Sequence, residues 1–277
     1  MATVARPSVL FAFLLVVALL VVAGPAAAAS SRKQDPLAAA RQFYNLGQYE
    51  QAIAAAQEAA THPAAAGSAR LIMARSRLER YRTTAAPGDL DDARADLRAV
   101  DPLQLEARER IELQVGLGEL FYLEERFGAA AELLAPVIER TASQAPDAHV
   151  RALDWWASAV DRQAQALPAS DRAPMYTRLI ARMEEELRRE PGSPAAAYWI
   201  AAAARASGDL DRAWSAAMAG WVSATLARDR GVALRADLDK LVTEGIIPDR
   251  AGRAPAQERR QTVAALAAEW ETFKSGW

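Results

Sequence analysis

Cysteine is absent from the 277-residue chain, which excludes disulfides, thiolate metal sites, a cysteine nucleophile and a lipid-modified cysteine behind a leader. Lysine is scarce: Lys33, Lys240 and Lys274 are the only ones, and arginine carries the rest of the positive charge. Arginine forks suit carboxylates and phosphates, although a GC-rich genome accounts for the bias equally well. The 33 basic and 35 acidic side chains nearly cancel. No basic stripe of the kind that neutralises phosphates is present, so no nucleic-acid partner is expected. Alternating β-branched runs are missing, and nothing reads as strand beyond the dipeptide Ile246–Ile247.

Recognisable chemistry is missing as well. His62 and His149 stand far apart, and neither has a second metal ligand at helical spacing; both read as surface or cap residues. There is no Gly-x-Ser-x-Gly elbow, Walker loop or dinucleotide fingerprint. The run Glu184-Glu185-Glu186 cannot converge on one ion, because consecutive helix residues point in different directions, and reads as a solvated face. No catalytic, cofactor-binding or metal-binding residue is assigned, and an enzyme is not expected. The remaining route to one is a carboxylate site that a single sequence does not reveal.

What is present is helical. Hydrophobic residues make up 52% of the chain, much of it alanine, the best helix former. Arg6 precedes an apolar run from Val9 to Ala23, closed by Gly24-Pro25 and Ala26–Ala29. The run is too short for a span of about twenty residues and has the layout of a secretory signal peptide. Residues 1–29 are assigned to it, with cleavage after Ala29; an uncleaved anchor is the alternative. Either way the rest of the chain is exported, periplasmic or secreted, and keeps no stable membrane span after cleavage.

One short pattern recurs: a turn residue, a spacer, an aromatic or Leu, two spacers, then Ala. It reads Gly47-Gln48-Tyr49-Glu50-Gln51-Ala52, Gly88-Asp89-Leu90-Asp91-Asp92-Ala93 and Gly208-Asp209-Leu210-Asp211-Arg212-Ala213. Weaker copies begin at Glu125 (with Phe127 and Ala130) and at Pro174 (with Tyr176 and Leu179). The reading is mechanical. Glycine ends one helix in the left-handed cap conformation, Asp caps the next, the aromatic packs back on the first helix, and alanine lets the two approach. Such a hairpin cannot bury its apolar face alone and stacks on its neighbours.

These residues resemble the tetratricopeptide repeat (TPR) family over about residues 34–228. Copies start at 47, 88, 125, 174 and 208, and only the last separation equals the family period of 34; insertions are expected around Tyr81–Pro87 and Leu167–Ala173. The expected fold is all-α: a TPR-like right-handed superhelix of antiparallel helix pairs over 30–244, a loop over 245–256, and a C-terminal capping helix over 257–277 marked by Val263, Leu266, Trp270 and Phe273. Ser193-Pro194 predicts a helix start, Asp91-Asp92 reads as helix capping, and Met175, Leu179, Met183 and Leu187 form one apolar stripe. The block Arg212–Arg250 resembles segments of exported bacterial TPR proteins and carries no activity with it.

The resemblance implies that the first helix of each pair lines a groove for a protein or peptide segment. The groove positions it implies are Arg41, Tyr44 and Asn45, then Arg75 and Glu79, then Glu119 and Tyr122, and in the last copy Tyr198 and Arg205. The fourth copy does not align cleanly; Arg151, Asp154 and Arg162 are its candidates. Trp155 joins them, because it neighbours Trp156 and two adjacent helix residues cannot both face one narrow core. No Lys/Asn set matches the family's chaperone-tail clamp. The expected function is an exported adaptor or scaffold. The alternative is a cell-envelope glycan binder that contacts peptidoglycan through the Trp-rich second half, where Trp214 and Trp221 share a helix face. Their more ordinary role is to fill gaps between alanine-lined helices.

Overall fold

A computed structural model of the chain describes residues 35–142, 146–227 and 229–277; the expected signal peptide lies outside the described residues. Among them every regular element is helical. The α-helices are α1 (Pro36–Asn45), α2 (Tyr49–Ala59), α3 (Ala66–Thr84), α4 (Pro87–Arg98), α5 (Ala107–Leu123), α6 (Phe127–Thr141) and α7 (Pro146–Gln165). They continue as α8 (Ala169–Arg189), α9 (Pro194–Ala206), α10 (Leu210–Ser223), α11 (Val232–Leu241), α12 (Ile247–Gly252) and α13 (Arg259–Ser275).

Local chemistry starts these helices, at Ser193 and Asp209 where the sequence predicts. Pro36 opens α1 behind Asp35, whose carboxylate accepts from the Leu37 N–H at 3.1 Å. Ser193 caps α9 with Pro194 at its first position. Asp209 accepts from the Arg212 N–H at 3.1 Å and caps α10.

The recurring pattern works as expected in part. Gly47 and Gly208 take left-handed φ of 71° and 85° and separate α1 from α2 and α9 from α10. Glu125, in the glycine slot of a weaker copy, takes the same conformation at φ 61° without glycine's freedom. The alanine slots Ala52, Ala93, Ala130 and Ala213 are wholly buried, as is Leu179 in the fifth copy. Tyr49 packs back on Tyr44, and Phe127 on Tyr122, with ring centroids 6.0 and 5.2 Å apart.

Several expectations need correction. Gly88 does not end a helix: it lies inside α4, and Ala85 at φ 53° supplies the left-handed stop three residues earlier. Asp91 and Asp92 are not caps either; within α4 they pair with Arg94 and Arg77 at 2.7 and 3.5 Å. Pro174 lies inside α8, not at its start. The supposed loops at Tyr81–Pro87 and Leu167–Ala173 are mostly helix. The extra residues lengthen α3 and α8 to 19 and 21 residues, which good helix formers such as Arg, Ala and Met favour over an irregular loop.

From α1 to α11 each helix packs against its neighbours in sequence, and each odd-numbered helix from α1 to α9 also touches the next odd-numbered one. The even-numbered helices make no comparable run with one another. The odd-numbered helices therefore form the more crowded layer. Where α5 meets α6, a Cβ on Gly118 would lie 2.6 Å from Leu134, so only glycine fits. The apolar stripe of α8 is buried at Leu179 and Met183 and half-buried at Met175 and Leu187.

The C-terminal region departs most from expectation. Residues 245–252, expected as loop, continue α11 through a π-helical turn, Val242–Ile246, into α12. Ile246 and Ile247 are buried there, which gives this segment the apolar anchor that a surface loop lacks. Pro248 cannot donate to the carbonyl four residues back, and a widened turn accommodates that missing bond. The capping helix itself is α13. Its Trp270 is fully buried and packs edge-on to Trp214 and Trp221 at 5.8 and 5.5 Å. Phe273 stacks on Trp270, and the indole N–H donates to Asp239 at 2.8 Å. Leu266 is half-buried, whereas Val263 faces solvent.

Two predictions follow from these contacts. Glu125→Gly removes the strain of a left-handed non-glycine residue and is expected to stabilise by about 1 kcal/mol, while Gly208→Ala destabilises by a similar amount; opposite shifts of the thermal midpoint check both. Trp270→Ala leaves a cavity beneath three aromatic neighbours and leaves Asp239 to Lys274 alone, and is expected to cost about 3–5 kcal/mol in a denaturant titration.

Candidate functional site

The odd-numbered helices carry most of the sequence-predicted groove positions and bring them together. On α3, Arg75 is buried, stacks its guanidinium 4.7 Å above the Tyr44 ring of α1 and meets Glu112 of α5 at 3.3 Å. One turn on, Glu79 pairs with Arg82 at 2.7 Å. Arg82 lies 5.0 Å over Trp155 of α7, and Trp155 stands edge-on to Tyr122 of α5 at 4.7 Å. Trp156 points the other way into the core, as the two-neighbour argument requires. Farther along, Asp154 accepts from the Trp199 indole at 2.8 Å, and Tyr198 lies edge-on to Trp199. Arg205 of α9 pairs with Asp249 of α12 at 2.7 Å, its guanidinium passing 2.8 Å from where a Cβ on Gly245 would stand.

Not every expected position joins this set on equal terms. Arg41 reaches across to Glu109 in the first turn of α5 at 2.7 Å. Asn45 is exposed at the end of α1. Arg162 is exposed beside Asp161, whose carboxylate accepts from Tyr176 at 2.9 Å.

The electrostatics of the face are set by burial. Glu119 is 3% exposed and has no hydrogen bond or ion pair among the described residues. Burial pushes its carboxyl up to about 7, with Glu79 adding to the rise and Arg75, Arg82 and Arg151 opposing it. Asp154 touches solvent, yet the surrounding helices desolvate it enough to raise its carboxyl too. Asp161 and Asp237 are raised by burial, Asp237 also by Asp154. Burial pushes the Tyr198 hydroxyl up to about 12. Arg151 is exposed and makes no ion pair among the described residues.

The sequence reading missed several members. Arg82 fell in the supposed loop, although its four-residue offset from Leu78 continues α3. Asp249 comes from the segment expected as loop, whereas Asp237 lies in a stretch expected and found as helix. His149 is a further correction: it is buried, contacts the Ile138 carbonyl at 3.1 Å and pairs with Glu186 at 2.9 Å. Glu186 is accordingly part of the interior and not of a solvated face, and its carboxyl is lowered: His149 and Arg189 outweigh the burial that would raise it. Glu184 and Glu185 point elsewhere, to Arg212 and Arg182.

Other features are built differently. A cavity of about 480 Å³ lies on another side of α5, lined by Pro102, Ile111, Leu117, Arg110 and Arg140; Arg110 donates to the Leu105 carbonyl and Arg140 to Gln114. Trp214 and Trp221 are spent on the packing of α13. Among the described residues no three His, Asp or Glu side chains gather in a way that holds a metal ion, and no helix is long and apolar enough to cross a membrane. No protein-family model, no curated protein and no solved structure matches the chain.

The state of Glu119 has a consequence for stability. Its folded carboxyl titrates above the unfolded value of 4.5, so its favourable neutral form is fully present below that value and is lost as pH rises through about 7. Glu119→Gln keeps the shape without the charge. Relative to wild type, the variant is expected to gain roughly 3 kcal/mol between pH 4.5 and pH 8. Denaturant titrations at both pH values check this; a pH-independent difference excludes the buried, unpartnered carboxyl.

Proposed function

We propose that the mature chain is an exported, TPR-like right-handed superhelix acting as an adaptor or scaffold, periplasmic in a Gram-negative cell. A protein or peptide segment lies along the face of the odd-numbered helices. The observation that carries this reading is the layering itself. Successive odd-numbered helices touch, and from α1 to α9 they present one continuous strip of aromatic and charged side chains. Within that strip Arg151 is exposed and makes no ion pair among the described residues. Aromatic and arginine side chains of this kind supply most of the energy where a partner docks. The TPR resemblance of the repeats and the leader-like first 29 residues give the class and the compartment.

Arg151 is the clean probe of this reading. Arg41→Glu and Arg205→Glu would also break ion pairs to Glu109 and Asp249, so their effects mix folding with recognition. Arg151→Glu is expected to leave the thermal midpoint within about 1 °C while lowering capture of the partner roughly tenfold or more. The measurement is photo-cross-linking in the native envelope fraction, with the probe at Tyr198 of the proposed face or at Arg140 on the other side. Cross-links to one envelope protein from Tyr198 alone, weakened by Arg151→Glu, support the proposal. Equal labelling from both positions, or capture unaffected by Arg151→Glu, overturns it.

A further inference from the structure

We infer that this face holds a site for an α-amino-carboxylate head group, with Glu119 receiving the ammonium and Arg151 the carboxylate. The inference rests on the reading of the odd-numbered helices as the ligand face and names the chemistry of one point on it.

Six charged groups meet where α3, α5 and α7 come together, and the ion pairs sort them. Arg75 is taken by Glu112 at 3.3 Å, and Arg82 by Glu79 at 2.7 Å. Glu119 and Arg151 remain. Glu119 lies one turn before Tyr122 on α5 and Arg151 one turn before Trp155 on α7, and those two rings meet at 4.7 Å, yet among the described residues no ion pair joins the two charges. A carboxylate on a residue only 3% exposed, with no protein donor among the described residues, is costly to keep ionised. The buried Nε–H of Arg75 nearby has no acceptor either, and the hydroxyls of Tyr44 and Tyr49 face the same charges.

The signs decide the ligand. A simple cation at Glu119 would confront Arg75, Arg82 and Arg151 together. A simple anion at Arg151 would confront Glu119 and Glu79. A group carrying both charges satisfies the unpaired acid and the unpaired base at once and adds no net charge to a site whose other charges are already balanced. The Trp155 and Tyr122 rings, in edge-on contact next to Arg82, offer an apolar wall for the ligand's remaining carbon atoms. Such a head group belongs to a free amino acid or to the side-chain end of a diamino acid within a peptide.

Ammonium binding needs Glu119 ionised. The groups facing it are Tyr44 from α1, Tyr49 from α2, Arg75, Glu79 and Arg82 from α3, and Arg151 from α7. With the Glu119 carboxyl near 7, affinity is expected to fall about tenfold from pH 8 to pH 6.

The test is calorimetric titration of the mature chain at pH 8 with L-leucine, D-alanine, N-acetyl-L-leucine, L-leucinamide and a tripeptide ending in meso-diaminopimelate. The zwitterionic ligands are expected to bind, and the acetylated and amidated forms to bind at least about tenfold more weakly. Glu119→Gln is expected to erase the preference for leucine over N-acetyl-leucine, and Arg151→Gln the preference over leucinamide. Binding by the tripeptide alone supports the site and assigns it to a peptide; binding by leucine or D-alanine assigns it to free amino acids. No binding below about 10 mM by any zwitterion, or equal binding of the blocked forms, overturns the inference. Cross-linking from Tyr198 then separates the two readings. Persistent capture of an envelope protein with no zwitterion bound removes only this site, and zwitterion binding with no captured protein removes the adaptor.

Discussion

Helices that approach closely enough to exclude all but the smallest side chains set the spacing of this molecule. Ala52, Ala93, Ala130 and Ala213 are fully buried at the contact between the two helices of a pair, and Gly118 leaves no room for even one more carbon against Leu134. An alanine contact contributes little apolar area by itself, so a pair of these helices is poorly stabilised alone. The deficit is met by stacking, and stacking brings each odd-numbered helix against the next. The crowding of that layer is what puts arginines and carboxylates where water is scarce.

The charges on the crowded layer then divide by whether a partner lies within reach. Arg75, Arg82 and Arg205 are matched by Glu112, Glu79 and Asp249, pairs that orient side chains more than they stabilise the fold. Asp154 and Asp161 are raised by burial but accept from Trp199 and Tyr176. Glu119 has no such relief, and its environment works against ionisation. Buried groups in that condition reduce stability, and they gather where binding requires them.

How far the sequence foretold this depends on the kind of signal. Helical class, the caps at Ser193 and Asp209, and the burial of the alanine slots follow from local rules that act within one or two turns. The glycine slot is less reliable. Glu125 adopts the left-handed stop that its position implies, whereas Gly88 does not, because Pro87 starts α4 directly and Ala85 takes the strained conformation instead. Loop and helix were confused where proline appeared: Pro174 and Pro248 both lie within helical stretches because buried neighbours hold the chain there. Among candidate positions, Tyr44, Arg75, Glu119, Tyr122, Asp154, Trp155, Tyr198 and Arg205 share the face. Arg82 and Asp249 escaped notice because each sits in a segment misread as loop, and Asp237 because helical periodicity does not show which acids meet in space. The His149–Glu186 pair spans 37 residues, and a contact between distant helices leaves no periodic trace.

The far end of the array shows why the face can remain polar. An open stack of helices leaves its last apolar surface uncovered, and here α13 closes it through Trp270, with Trp214, Trp221 and Phe273 around the indole. Lys274 and Arg250 lie over the same aromatic group and point their charges outward to Asp239, Glu271 and Asp211. This concentration of aromatic contact at one end contributes stability away from the face proposed for binding. A protein with such an anchor tolerates groups without an ion pair among the described residues at Glu119 and Arg151, which lie on helices other than the α10 and α13 that close the array. The aromatic residues thus fall into groups with different work: those of α10 and α13 hold the array shut, Trp156 and Trp199 fill the core, and Tyr44, Tyr122, Trp155 and Tyr198 line the face proposed for a ligand.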